Sequence, residues 1–137
     1  MVGILIVAHG AFGEALIHCA SHVLGRRPLR VRQLGVTVHD DPDATLPQAQ
    51  DLVRQLDEGD GVLVLSDMIG ATPSNVAARL SVPGKVEVVG GASLPMLIRA
   101  LTYRAQPLAA VVEKAISGGR EGVVHLGASE AHAATGS

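Results

Sequence analysis

The feature that most limits the fold is the apolar run from Ile4 to Ala8 near the N-terminus. The run is too short for a buried helix and is typical of a strand covered on both faces. It ends at His9 and Gly10, and glycine allows a tight turn there because it has no Cβ. Apolar residues then recur with helical spacing, which predicts an amphipathic helix. The apolar positions of this helix are Phe12, Ala15, Leu16, Cys19, Ala20, Val23 and Leu24.

Strand and helix patterns continue to alternate along the rest of the chain. Helices are predicted over residues 45–58, 73–80, 94–101 and 107–117, and strands over residues 29–36, 61–66 and 85–89. The strand at 29–36 contains charged residues and suits a sheet edge, whereas the strand at 61–66 is apolar on both faces and suits the centre. This alternation predicts an α/β fold with a doubly wound, mostly parallel sheet flanked by helices. A short last strand is expected at 122–126.

Composition agrees with a single domain of this class. The chain has 137 residues, 47% of them hydrophobic, and its only aromatic side chains are Phe12 and Tyr103. We expect residues 1–127 to form the domain and the small, polar residues 128–137 to fray. Gly118 and Gly119 are expected to end the last helix.

Charge and cysteine content exclude several functional classes. The formal net charge is −2 and there is no basic run, so nucleic-acid binding is not expected. No stretch approaches about 18 uninterrupted apolar residues, so direct membrane insertion is not expected either. The single cysteine, Cys19, allows no intramolecular disulfide, and the N-terminus has no signal-peptide pattern, both of which suit the cytoplasm.

Chemistry-bearing residues follow the carboxyl ends of the predicted parallel strands, the edge at which α/β sheets collect ligands. His9 follows the first strand, Asp67 the strand at 61–66, and Ser93 the strand at 85–89. Thr72 and Pro73 carry the signature of a helix start, with Thr72 as the expected N-cap and Pro73 as the first helical residue. The loops around these residues are therefore expected to meet at one rim.

A phosphoryl-transfer mechanism follows if His9 and Asp67 are neighbours. A carboxylate that accepts a hydrogen bond from one ring nitrogen fixes the tautomer and leaves the other nitrogen as a nucleophile. The residues leading into the next helix, with the Thr72 hydroxyl, can bind an anion. We therefore expect His9 to accept and release a phosphoryl group, with no metal and no cofactor. The residues expected to bind the substrate group are Gly10, Gly70, Ala71, Pro73 and Ser93.

Each of these signals also has a simpler interpretation. A histidine on a strand-end loop is most often ordinary polar surface, Asp67 can be a turn residue, and Thr72 with Pro73 can be a plain helix cap. His18 and His22 have a spacing that suits a metal, but no third ligand is evident, so a solvated helix face is the better interpretation. Cys19 is expected to be a small core residue.

Four motifs, in order and at matching separations, resemble the mannose-type enzyme IIA components of the bacterial phosphoenolpyruvate-dependent sugar phosphotransferase system. The resemblance covers most of the chain. The motifs are Ile-Val-Ala-His-Gly at 6–10, Val-Leu-Ser-Asp-Met-Ile-Gly-Ala-Thr-Pro-Ser-Asn at 64–75, Gly-Ala-Ser-Leu-Pro-Met-Leu at 91–97, and Gly-Arg-Glu-Gly-Val at 119–123. Ala71 stands where many members have a second glycine, and Ser93 where many have asparagine.

The resemblance implies a phosphocarrier. His9 would be phosphorylated on Nε2 by the carrier protein HPr, Asp67 would orient His9, and Thr72 would contact the phosphoryl group. The resemblance also implies a homodimer in which the strand at 122–126 crosses to the partner's sheet. The implied acceptor is an enzyme IIB component, expected here as a separate chain because no such domain follows residue 126.

Two other functions share this site. One is a regulatory switch whose output is the phosphorylation state of His9, without a dedicated transporter. The other is the phosphotransfer subunit of a dihydroxyacetone kinase, a subfamily that tends to have serine after the active histidine where this chain has Gly10. Nothing in the sequence identifies the sugar.

Overall fold

The computed structural model describes residues 1–127 and contains four strands, each followed by a helix, and a fifth helix that comes last. The strands are β1 (Gly3–His9), β2 (Val31–Val36), β3 (Val62–Ser66) and β4 (Val86–Val89). The helices are α1 (Phe12–Leu24), α2 (Pro42–Leu56), α3 (Thr72–Ala78), α4 (Leu94–Tyr103) and α5 (Leu108–Glu121). Within this range, no helix combines the length and the apolar character needed to cross a membrane.

All strand pairs in the sheet are parallel, in the order β2-β1-β3-β4. The predicted α/β fold with a doubly wound parallel sheet is therefore confirmed. β2 lies at an edge and β3 lies inside the sheet, as their sequence patterns predict. Because every strand runs in the same direction, the segments that follow β1, β3 and β4 all emerge at one edge of the sheet.

Alternate residues of the central strands supply two separate cores. Ile4, Ile6, Leu63 and Leu65 pack under α1, α4 and α5 on one face. Leu5, Val7, Val62 and Val64 pack under α2 and α3 on the other face. These eight side chains have no exposed surface. Each one stabilises the fold by about 1.5–3 kcal/mol through burial, which makes the sheet a rigid support for the residues at its end.

The buried face of α1 differs from the predicted stripe. Gly13, Leu16, Ile17 and Ala20 face the core, whereas Cys19 is exposed, so the prediction that Cys19 is a core residue is wrong. The reason is the close approach of the helix to the sheet at Gly13, where a Cβ would lie 3.0 Å from Gln33 Cβ. This approach rotates the inward face away from the predicted stripe, and Phe12 and Val23 stay exposed.

Two helix ends also differ from prediction. Because Thr72 is already the first helical residue of α3, the N-cap is Ala71 and not Thr72. No side chain caps this helix. α5 continues through Gly118 and Gly119 to Glu121. The glycines do not end α5; they allow it to approach α4, since a Cβ on Gly118 would lie only 2.8 Å from Arg99 Cβ.

The segment after α5 is not a strand within the single chain. Residues 123–127 have no regular secondary structure, and Val123, Val124 and Leu126 are 84%, 60% and 73% exposed. The exchange of this segment with a second copy therefore stays a prediction. The predicted tail, residues 128–137, lies outside the described residues.

Candidate active site

His9 is the last residue of β1, and the following turn holds it at the edge of the sheet. His9 is opposite Val36 in the register with β2, and the Gly10 N–H donates to the Val36 carbonyl at 3.0 Å. Gly10 has φ +47°, in the left-handed region that favours glycine. The turn is therefore tied to β2 immediately beyond the histidine.

Asp67 follows β3 and contacts His9 twice. Its Oδ2 atom accepts a hydrogen bond from the His9 backbone N–H at 3.0 Å and lies 2.8 Å from His9 Nδ1. Its Oδ1 atom accepts from the Met68 N–H at 2.9 Å. Three N–H groups thus hold the carboxylate in one orientation against the imidazole.

Electrostatics favour the ionised form of Asp67. Burial alone would raise the pKa of this carboxyl. Hydrogen bonds from the His9 backbone, the His9 ring and the Met68 N–H lower the pKa, as does the charge of His9. The net pKa lies below the ordinary value of 3.8. An ionised carboxylate can only accept, so Nδ1 carries the hydrogen that faces it. In the neutral ring, Nε2 then holds the lone pair.

Exposure differs between the two side chains of this pair. The His9 side chain is 39% exposed, whereas the Asp67 side chain is 15% exposed. A reactant can therefore reach the imidazole while the carboxylate is largely covered. This pair can act as an oriented nitrogen nucleophile.

The loop from Asp67 to α3 contains the next group of predicted site residues. Gly70 is exposed with φ +87°, and Ala71 is extended with φ −93° and ψ 169°. Any residue adopts this extended geometry, so alanine in place of a second glycine introduces no strain at position 71. Thr72 is half-buried at the first position of α3, and Pro73 is buried behind it.

The third loop, between β4 and α4, is joined to the same edge. The Ala92 N–H donates to the Ser66 carbonyl, at the end of β3, at 2.8 Å. Ser93 is the N-cap of α4, and its hydroxyl oxygen accepts from the Met96 N–H at 3.4 Å. Ser93 therefore has a structural contact of its own beside any contact with a substrate.

Two close approaches that sequence reasoning missed support this rim. A Cβ on Gly35 would lie 2.3 Å from the Gly10 carbonyl oxygen, and a Cβ on Gly90 would lie 2.8 Å from Ile69 Cγ1. Gly35 thus lets the histidine turn fold onto β2, and Gly90 lets the loop after Asp67 lie against the third loop. A glycine inside a strand pattern is the available signal for such an approach.

The other candidate ligands lie away from this pair. His18, Cys19 and His22 are exposed on α1. Across residues 1–127, no group of three or more histidine, cysteine, aspartate or glutamate side chains is arranged to hold a metal ion.

Comparison with known families agrees with the architecture and with the motifs. The family described as "PTS system fructose IIA component", of the mannose type, matches residues 3–116. This match covers most of the chain. The chain belongs to the mannose-type enzyme IIA family of the phosphotransferase system. Members of this family are phosphotransferase components of sugar uptake.

Relatives of this enzyme IIA chain include transporter components and a regulator. It is 30% identical to the mannose-specific EIIAB component of Escherichia coli K12 over 128 residues, which is 91% of this chain and 39% of the relative. It is 35% identical over 68 residues to the transcriptional regulatory protein LevR of Bacillus subtilis, which is 49% of this chain and 7% of the relative. The chain thus spans about two fifths of the EIIAB relative and a small part of the regulator.

A solved structure of the same kind has the same fold. The phosphotransferase system component EIIA from Streptococcus agalactiae superimposes with a TM-score of 0.80 at 28% identity. The superposition covers 91% of this chain and 97% of the other. The similarity therefore extends over nearly the whole of both chains.

Proposed function

We propose that this chain is a phosphocarrier that takes a phosphoryl group from phospho-HPr on His9 Nε2 and passes it to an enzyme IIB component during sugar uptake. The observation that carries this function is the 2.8 Å contact between His9 Nδ1 and Asp67 Oδ2. The contact orients the ring and leaves Nε2 free to react. Family membership supplies the reaction class.

The transfer step balances with these two residues alone. The Nε2 lone pair attacks phosphorus and forms a nitrogen–phosphorus bond, while the bond from phosphorus to the donor atom of HPr breaks and its electron pair returns to HPr. The ring then bears positive charge, which the Asp67 carboxylate stabilises through Nδ1–H. Transfer to enzyme IIB reverses these events and restores the neutral imidazole.

Thr72 and its neighbours would hold the phosphoryl oxygens. Thr72 and Ser74 contribute the backbone N–H groups of the first turn of α3, which have no partner within the helix. The Thr72 hydroxyl adds a donor. The loops around the phosphoryl group would be shaped by Gly10, Gly70, Ala71, Pro73 and Ser93. Because the chain would exchange its phosphoryl group with HPr, we place it in the cytoplasm.

The first test is the intact mass of the protein after incubation with phosphoenolpyruvate, enzyme I and HPr at alkaline pH. Wild type should gain one phosphoryl group and His9→Ala should gain none. His18→Ala is the matched control, since His18 is exposed on α1 away from Asp67, and it should be labelled like wild type. Labelling of His9→Ala, or an unlabelled wild type, would refute the phosphocarrier function.

A regulatory role at the same site is the second candidate. The similarity to LevR over about half of this chain favours it. Incubation of the phosphorylated protein with separate enzyme IIB proteins distinguishes the two roles. Loss of the label to an enzyme IIB supports transport, whereas a partner that binds only one phosphorylation state, with no transfer, supports regulation. The dihydroxyacetone kinase alternative requires transfer to the kinase's nucleotide subunit, which we do not expect.

A further inference from the structure

A cavity of about 550 Å³ lies at the end of the sheet opposite His9. Its walls come from the end of α1, the connection from α1 to β2, and the end of α4. The apolar part includes Leu24, Leu29 and Leu101. The volume lies in the range of small-molecule sites, and the phosphoryl-transfer chemistry does not use it.

The charged residues that line this cavity are all cationic. Arg26, Arg27 and Arg104 contribute to the lining, which includes no aspartate or glutamate. Arg27 pairs with Glu14 at 3.2 Å, but both side chains are more than half exposed, so this pair is weak. Arg26 is exposed and makes no ion pair with any residue in the range 1–127. A cluster of this kind, on a chain of net charge −2, attracts anions locally.

Arg104 is the unusual member of the cluster because it is a buried cation without a carboxylate partner. It is 8% exposed. Its guanidinium donates to the carbonyl oxygens of Val2, Leu29 and Arg30, at distances of 2.6–3.0 Å. These bonds use four of its five N–H groups. Burial lowers the pKa of Arg104, and the neighbouring Arg30 charge lowers it further; the Glu58 charge, which pairs with Arg30, offsets part of this effect, and the net shift still disfavours the cation. An anion nearby would offset this cost.

The apolar side chains around the cavity are incompletely covered. Leu29 is 75% exposed and Leu24 is 41% exposed. A ligand that carried only charge would leave this surface in water, and one that was only apolar would leave the arginines without an anion. The pairing of the two surfaces therefore selects a molecule with an apolar body and an anionic head.

We propose that this cavity binds a small amphipathic anion, an aliphatic chain or ring that carries one carboxylate or phosphate group. The apolar body packs on Leu24, Leu29 and Leu101. The anionic head accepts hydrogen bonds from Arg26 and Arg27 and from the remaining Arg104 N–H. A concave site of this size favours a single molecule over a flat membrane surface.

The test is titration of the full chain with octyl phosphate below its micelle concentration, with 1-octanol as the uncharged analogue. Binding is measured by calorimetry and located by backbone amide NMR shifts. Octyl phosphate should bind more tightly than octanol, with shifts at residues 24–29 and 101–104. The double variant Arg26→Gln/Arg27→Gln should weaken octyl phosphate binding by at least about tenfold, because the loss of even one charge-assisted hydrogen bond has an effect of that size.

Three controls separate this site from other anion-binding surfaces. Arg54→Gln, an exposed arginine on α2, should bind octyl phosphate like wild type. His9→Ala should also bind normally, because His9 lies at the other end of the sheet. Inorganic phosphate should bind far more weakly, since it has no apolar body.

Several results would contradict the proposed binding of an amphipathic anion in this cavity. Equal affinity for octanol and octyl phosphate, or unchanged binding by the double arginine variant, would remove the role of the cluster. Loss of binding in His9→Ala would move the anion to the rim of the sheet. Binding to anionic lipid vesicles without binding to monomeric octyl phosphate would identify a membrane-contacting surface instead.

Discussion

At the end of β1, one carboxylate oxygen accepts two hydrogen bonds from the same residue. Asp67 Oδ2 holds both the backbone N–H and the ring Nδ1 of His9, which fixes the imidazole relative to its own strand. The aspartate is itself fixed through Oδ1 by the Met68 N–H. The orientation of the imidazole therefore depends on one short, largely covered side chain.

Replacement of Asp67 by asparagine should slow phosphorylation without unfolding the protein. An amide can keep one hydrogen bond to His9, but it brings no negative charge to the ring that becomes cationic on transfer. We expect the initial rate from phospho-HPr to fall by about 100-fold or more. Asp51→Asn, on the exposed surface of α2, is the control and should leave the rate unchanged. Equal rates in the wild type and Asp67→Asn would contradict the orienting role.

The same variant should change how stability depends on pH. The pKa of Asp67 is lowered in the folded protein, so its ionised form stabilises the fold above the ordinary value of 3.8. That contribution is lost as the pH falls through the lower folded value. Urea unfolding at a series of acidic pH values should show that the free energy of unfolding falls more steeply in wild type than in Asp67→Asn, because asparagine at position 67 does not titrate. If the free energies of unfolding of the two proteins fell in parallel with pH, Asp67 would make no pH-dependent contribution to stability.

At the scale of the elements, the site depends on close approaches between segments that are distant in sequence. Gly35 in β2 lies under the carbonyl of Gly10, and Gly13 in α1 lies against Gln33. β2 is thus more than an edge strand, because it supports the turn that presents His9.

Gly35→Ala should disturb the site more than the fold. The added methyl group would lie 2.3 Å from the Gly10 oxygen, so the turn after His9 must move. We expect phosphorylation to slow by about tenfold, with a destabilisation of about 1–3 kcal/mol. Arg32→Ala, exposed in the same strand, is the matched control. Transfer rates and urea unfolding measure the two effects, and a normal rate in Gly35→Ala would show that β2 does not position the turn.

Adjacent glycines in α5 provide a second test of close packing. A Cβ on Gly118 would meet Arg99 Cβ and the Pro95 carbonyl, whereas one on Gly119 would meet the flexible end of Met96. Gly118→Ala should therefore destabilise the protein by about 1–3 kcal/mol. Gly119→Ala should be neutral or stabilising, because alanine favours helix by about 1 kcal/mol. Equal unfolding free energies for the two variants would contradict the α4–α5 contact.

At the scale of the whole molecule, the proposed phosphorylation site and the proposed anion cavity occupy opposite ends of one parallel sheet. The carboxyl ends of the strands present His9 and Asp67, and the other end presents the arginine-lined cavity. The segment after α5 leaves a further apolar surface uncovered within the single chain. The expected exchange of this segment between two copies would cover that surface.

Substitution of an exposed valine in this segment tests the expected dimer. If the segment joins the partner's sheet, Val124→Lys should shift the protein from dimer to monomer by light scattering after size-exclusion chromatography. Val38→Lys, at another exposed valine in the loop before α2, should not cause this shift. A monomeric wild type, or a Val124→Lys variant that stays dimeric, would exclude exchange through this segment.

Local pattern was enough to predict the order of the four strands and five helices and the direction of the strands, although it also predicted a strand at 122–126 that the single chain does not form. The run at 4–8 and the helical spacing after it are properties of neighbouring residues, and alternation of this kind permits only a few topologies. The positions of β3 inside the sheet and of β2 at its edge were also predicted from local pattern. β3 is apolar on both faces, whereas the strand predicted at 29–36 contains charged residues. The juxtaposition of His9 and Asp67 was a prediction from that topology.

Only the tertiary structure decided features that depend on distances between remote segments. The rotation of α1 that exposes Cys19 comes from its approach to the sheet at Gly13, and α5 passes through Gly118 because α4 lies against it. The contact of Gly35 with the turn after His9 is of the same kind. Sequence patterns indicate which residues avoid water. Packing between elements decides which side of each helix is buried and how closely two backbones approach.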